Sequence, residues 1–212
     1  IKGISKAVQE LNMPIVSGDV SLYNETDGVS ILPTPTIGAV GLIAKTEDAI
    51  IGIPRDGNVA LLIGETLGHL GQSALLAEVF NRQEGSPPKV NLADEKKHGE
   101  FIRQNSSWIT ACTDLSDGGL ALAAFKMSES AGIGVSLEVE NTAALFGEDQ
   151  ARYLIACDFD QAEAILAEAG KVGITAKCVG TFGGNHVCFG SSINDLQGLS
   201  KIYRGSFEAA LT

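Results

Sequence analysis

Pro14-Ile15-Val16-Ser17-Gly18-Asp19-Val20-Ser21-Leu22-Tyr23-Asn24-Glu25-Thr26 passes from an apolar triplet into a polar run. The triplet reads as a brief strand, and residues 17–28, with Gly18 and Gly28, read as a long loop. A strand that delivers Gly18, Asp19, Ser21 and Asn24 into one loop supports two readings. One is a polar connector built from ordinary turn residues. The other is a phosphate-facing loop. There a glycine lets backbone approach a ligand, a carboxylate offers Mg²⁺ a hard oxygen, and hydroxyls and amides bond phosphate oxygens.

Outward from this stretch, Ile4, Val8 and Leu11 recur at helical spacing, which predicts a helix over 4–11. Val29–Leu32 and Thr36–Ile43 read as strands separated by Pro33-Thr34-Pro35, where the prolines remove ladder donors. Polar turn clusters at 45–48 and 54–57 mark a boundary. Beyond it the pattern predicts strands at 58–63, 109–113, 134–139, 152–157, 174–182 and 186–189. It predicts helices at 72–80, from a cap at Asp94 to about 105, at 118–130, at 160–169 and through the tail 194–211. Gly183-Gly184-Asn185 reads as a hairpin turn. Strands and helices mix without strict βαβ alternation, so the expected fold class is α/β or α+β with a mixed sheet.

The 212-residue chain suffices for one large domain or a domain plus part of another. Its formal net charge is −11, which repels a nucleic-acid backbone and excludes a general nucleic-acid partner. Local amides and a metal ion still permit a small phosphorylated ligand. Cys112, Cys157, Cys178 and Cys188 lie in apolar runs without C-x-x-C spacing, and are expected to be buried, reduced thiols of a cytoplasmic protein. No signal-peptide pattern and no run of membrane-spanning length is read in these residues, so no membrane association is expected. Ile1 leads directly into an amphipathic helix, as a cut through a longer protein would, and the chain is expected to be a fragment.

The opening stretch, followed by Ile31-Leu32-Pro33-Thr34-Pro35-Thr36-Ile37-Gly38 and Val40-Gly41-Leu42, resembles the synthetase subunit of phosphoribosylformylglycinamidine synthase in its small bacterial form. The resemblance continues through Gly71-Gln72-Ser73, Thr113-Asp114-Leu115-Ser116-Asp117-Gly118-Gly119-Leu120-Ala121 and Leu145-Phe146-Gly147-Glu148-Asp149-Gln150-Ala151-Arg152, and so covers essentially the whole chain. It implies a duplicated two-domain unit shared with aminoimidazole ribonucleotide synthetase. Residues 1–50 would be the end of the second N-type, ATP-site domain, and 51–212 the second C-type domain. The implied reaction is ATP-dependent. The amide oxygen of formylglycinamide ribonucleotide is phosphorylated, and ammonia displaces the phosphate to give the amidine of purine biosynthesis.

The implied partners are the N-terminal half of the same subunit, a glutaminase subunit that supplies ammonia, and a small bridging subunit. By position, Gly18 is similar to the family residue whose backbone meets ATP, Asp19 to a Mg²⁺ ligand and Ser21 to a substrate contact. The family usually carries asparagine where Asp19 stands; aspartate keeps the hard oxygen and adds charge. The family's catalytic histidines and remaining metal carboxylates belong to the other half, so no catalytic residue is expected here and the isolated chain is expected to be inactive.

Other constellations admit two readings. Ser116 or Asp117 would cap the helix at 118, or, by the duplication, Asp114 would be a relic ligand of a non-catalytic nucleotide site. Glu148-Asp149-Gln150 corresponds to a substrate-binding segment of the first C-type domain and is expected to be vestigial here. Arg152, Arg55 and Lys96-Lys97 are expected to be solvated or locally paired surface groups. A competing reading makes the chain an architectural half that binds nothing. A kinase or selenophosphate synthetase of the same superfamily is disfavoured by Ser21-Leu22-Tyr23-Asn24-Glu25.

Overall fold

The computed structural model describes residues 1–20, 24–32 and 34–211, which fall into two compact units, 1–49 and 50–212. In the first unit, α1 (Lys2–Glu10) turns Ile4, Ala7, Val8 and Leu11 to one partly covered stripe. No strand forms at 14–16. The expected loop instead contains a small hairpin of β1 (Glu25–Thr26) and β2 (Val29–Ser30), with Glu25 opposite Ser30. Its two-residue turn is Asp27-Gly28, both left-handed at φ 51° and 78°, the chemistry of a type I′ turn. The described residues of 36–43 lie in no strand, and Val40 and Leu42 are fully exposed. Alternating apolar residues need a neighbouring strand to become one, and none of the described residues supplies it.

The second unit is built on a seven-stranded sheet. Its strands are β3 (Val59–Ile63), β4 (Ala111–Asp114), β5 (Val135–Leu137), β6 (Tyr153–Cys157), β7 (Ala176–Phe182), β8 (His186–Phe189) and β9 (Ser192–Asp195), in spatial order β4-β6-β3-β7-β5-β8-β9. Every pairing is antiparallel except β5 with β8, so the sheet is mixed, as the sequence led us to expect. β3 reads Val-Ala-Leu-Leu-Ile and is buried at every position. Alternation sends Ala60 and Leu62 into one core and Val59, Leu61 and Ile63 into the other, so both faces must be covered. The first face is covered by α3 (Gly119–Ala131), through Leu120, Ala124 and Met127. The second takes α2 (Leu92–Gln104) and α5 (Phe159–Lys171), through Phe101, Ile102 and Ile165. A short α4 (Thr142–Phe146), absent from the sequence reading, adds Leu145 to the first core. α6 (Leu196–Leu211) joins it through Leu196 and an edge-on contact between Tyr203 and Phe125, with ring centroids 5.4 Å apart.

Several local expectations are corrected. The α2 cap is Asn91, not Asp94: its side-chain oxygen accepts from the Ala93 and Asp94 amides at 3.1 and 3.4 Å. The expected helix at 72–80 is one five-residue π-helical turn, Leu75–Val79. The tail yields β9 before its helix. Gly183-Gly184-Asn185 is not a hairpin turn, because β5 lies between β7 and β8. The segment bridges the start of β5, exchanging backbone bonds with Gly134 at 2.8 and 2.7 Å. The cysteines are free, but Cys157 alone of the four is buried and Cys178 is exposed. Burial pushes the Cys112 and Cys157 thiols up to about 12 and about 11, which keeps both protonated near neutral pH. Among the described residues no helix is long and apolar enough to cross a membrane.

Candidate functional site

The residues picked out by the sequence fall in both units. In the first, Gly18 and Asp19 are consecutive, exposed and outside regular structure. A side chain at Gly18 would meet nothing within 4 Å, so its backbone is open to a ligand. Ser21 lies outside the described residues. Among those described, no group of three or more His, Cys, Asp and Glu side chains could hold a metal ion. Asp19 stands as a single exposed carboxylate, a hard oxygen donor by its chemistry.

In the second unit, the other candidates meet around the turn at 147–152. Glu148 and Asp149 are buried, yet neither faces a ligand space. The Glu148 carboxylate accepts from the amides of Ala74 at 2.8 Å and Gly118 at 2.9 Å. The second bond caps α3: Gly118 is the N-cap residue and contributes no side chain, so neither Ser116 nor Asp117 serves as the cap. Asp149 accepts from three consecutive amides, Leu67 at 3.0 Å, Gly68 at 2.9 Å and His69 at 3.2 Å.

Arg152 is not a surface group. At 1% exposure it is the largest fully buried side chain. Its guanidinium donates to the Gly147 carbonyl at 2.5 Å, the Asp149 carbonyl at 3.0 Å and the Thr66 hydroxyl at 3.3 Å, and lies 4.0 Å from the Asp149 carboxylate. Burial lowers its proton affinity, and the negative charges of Asp149 and Glu148 oppose that shift. A fork of five donors can satisfy several oxygens at once, which is why arginine stands at such a position.

Two residues of α2, neither given a role by the sequence, clamp the same turn. Glu95 accepts from the Ala151 amide at 2.9 Å, and the His98 ring bonds the Ala151 carbonyl through Nδ1 at 2.6 Å. Ala151 is held left-handed, φ 55°, a strained state for alanine that these two bonds offset. The spacing of Glu95 and His98, i and i+3 on a helix, was the available sequence signal.

Asp114, Ser116 and Gln150 do converge. With Glu95, Arg152 and Tyr153 they line a cavity of about 170 Å³. Burial raises the affinity of the Glu95 carboxyl for its proton, and the nearby Asp114 charge adds to this. Burial likewise raises Tyr153, beside Glu95. The lining sets two carboxyl groups, Glu95 and Asp114, beside the Arg152 guanidinium.

The family described as AIR synthase related protein, C-terminal domain, matches residues 55–189. The chain belongs to this family. The AIR synthase related domain thus takes in the whole turn at 147–152 and every strand from β3 to β8. Curated relatives are similar over the full chain. The phosphoribosylformylglycinamidine synthase subunit PurL of Roseobacter denitrificans is 65% identical over 211 residues, 100% of this chain. The protein of the same name from Parvibaculum lavamentivorans is 43% identical over 215 residues, 97% of this chain. In both comparisons the chain spans 29% of the relative's length. Among solved structures, T. maritima PurL complexed with FGAR superposes with a TM-score of 0.62 at 17% identity, over 73% of this chain and 30% of that one. T. maritima PurL complexed with ATP gives 0.56 at 18% identity, over 73% and 28%. At that identity the likeness shows the AIR synthase related fold alone.

Proposed function

We propose that the chain is part of the synthetase subunit of a phosphoribosylformylglycinamidine synthase. In this reading it is the end of the second N-type domain, about 1–50, followed by the second C-type domain, about 51–212. The enzyme would be a cytoplasmic ATP-dependent ligase that converts formylglycinamide ribonucleotide to its amidine, with ammonia derived from glutamine. The observation that carries this is the full-length similarity to proteins named for that subunit, 65% at the highest identity quoted above. Supporting it are structures of T. maritima PurL described as complexed with FGAR, ATP and ADP. The proposed partners are the N-terminal half of the subunit, a glutaminase subunit and a small bridging subunit; a structure described as PurLQS from Thermotoga maritima is in keeping with such an assembly.

In this reading Gly18 presents open backbone to ATP, Asp19 gives Mg²⁺ one oxygen, and Ser21 contacts the ribonucleotide. Mg²⁺ would neutralise charge on the transferred phosphate. The chain's own residues bind and orient. An architectural reading of the second unit has one observation in its favour: Glu148, through Oε1, and Asp149, through both oxygens, accept from backbone amides of their own unit.

The isolated chain is expected to form no amidine from the ribonucleotide, ATP, Mg²⁺ and ammonia, because positioning needs groups it does not carry. In the intact subunit, Asp19→Ala is expected to lower kcat/KM for Mg-ATP at least about tenfold, while stability changes by less than about 0.5 kcal/mol, as for an exposed side chain. Unchanged activity across a Mg²⁺ titration removes Asp19 from the site. Ser21→Ala is expected to raise KM for the ribonucleotide tenfold to a hundredfold, the worth of a bond to a charged group at about 1.5–3 kcal/mol. KM for ATP should move less. Equal changes in both constants reassign Ser21 to a turn.

A further inference from the structure

Three consecutive backbone amides pointing at one carboxylate is the geometry of an anion nest. The segment after β3 has it: Leu67, Gly68 and His69 donate to Asp149 at 3.0, 2.9 and 3.2 Å. Gly68 supplies the left-handed residue, at φ 75°, that lets successive amides converge. Its position is crowded as well as turned, since an added Cβ would lie 2.8 Å from the Ala143 methyl. The Arg152 guanidinium, 4.0 Å from Asp149, adds positive charge behind the nest. Asp149 itself is only 6% exposed, whereas the Leu67 side chain points outward at 77% exposure. The backbone around the nest is therefore shaped to an oxyanion.

We infer that residues 67–69 form an oxyanion-binding nest whose resident ligand is the chain's own Asp149 carboxylate, and that the nest binds a free small carboxylate when Asp149 is shortened. The occupant differs from the phosphates of the proposed reaction in size and charge, and the inference stands independently of that function. Arg152 and the amides constitute the site; Asp149 fills it and thereby ties the 64–74 segment to the turn at 147–152.

Hydrogen exchange of the 67–69 amides in the full chain tests this. In the unaltered protein these amides are expected to exchange at least about tenfold more slowly than in an unstructured loop, although Leu67 is exposed. Asp149→Ala should lose the protection. Formate should restore it saturably, and chloride at equal ionic strength should not. Asp149→Asn, which keeps an acceptor in place and leaves no room for the ion, should show no response to formate. Unprotected amides in the unaltered chain overturn the inference, and need no variant to be observed. So does protection in Asp149→Ala that formate leaves unchanged, or that chloride restores equally. If Asp149→Ala folds only in formate, the nest is supported by the same selectivity over chloride.

Discussion

Arg152→Ala is expected to destabilise the protein by about 3–5 kcal/mol, the usual result of removing one partner from a buried charged network. The guanidinium has 1% exposure and serves the carbonyls of Gly147 and Asp149 together with the Thr66 hydroxyl. Alanine leaves those oxygens without their guanidinium donors, and leaves the Asp149 carboxylate with less positive charge nearby. Arg152→Lys should recover only part of the loss, because one ammonium cannot reach three oxygens from a planar fork's position. Urea unfolding with an unchanged slope and a lowered midpoint is the measurement. A cost below about 1 kcal/mol would place the side chain in solvent, as for an ordinary surface charge.

Gly119→Ala is expected to cost about 3 kcal/mol. Gly119 opens α3 at φ 60°, where an L side chain costs about 1–2 kcal/mol. Its Cβ would also lie 2.5 Å from the Gly147 carbonyl oxygen and 2.9 Å from that of Leu145. Both neighbours are backbone and cannot rotate away, so overpacking adds about 1–3 kcal/mol. Gly132, at the other end of the same helix, isolates the two effects. Its φ is 68°, but an added Cβ meets nothing within 4 Å. Gly132→Ala should therefore show the conformational cost alone. Equal losses from the two substitutions would mean that α3 does not seat on the 145–147 backbone.

The elements that were legible in the sequence are those whose residues had no alternative. β3 and β6 are unbroken apolar runs of five, too short for buried helices and too apolar for an edge, and both lie inside the sheet. α3 and α5 announce themselves by apolar spacing. Where the outcome depended on a distant partner, the sequence was silent. Thr36–Ile43 alternates like a strand, but alternation does not supply a neighbour. Arg152 looks like a surface charge until Gly147, Asp149 and Thr66 are folded around it. Asp94 is a good cap residue, but Asn91 stands three residues earlier with an equally good oxygen. At the candidate sites, the Glu148-Asp149-Gln150 run was singled out by resemblance to a substrate-binding segment and expected to be vestigial. What the sequence did not reveal is that two of its three side chains are consumed by backbone amides; Gln150 reaches the cavity shared with Asp114 and Ser116.

The central strand also imposes a schedule on synthesis. β3 ends at Ile63, yet its two neighbours in the sheet begin at Tyr153 and Ala176. About 90 residues must leave the ribosome before the first of those neighbours exists, and at about 5–20 residues per second the delay is some seconds. Through that interval the most apolar segment of the nascent chain has neither ladder partner. Its first shelter has to come from α2, whose Phe101 and Ile102 emerge well before β6, or from a chaperone. Slower translation lengthens that wait in proportion.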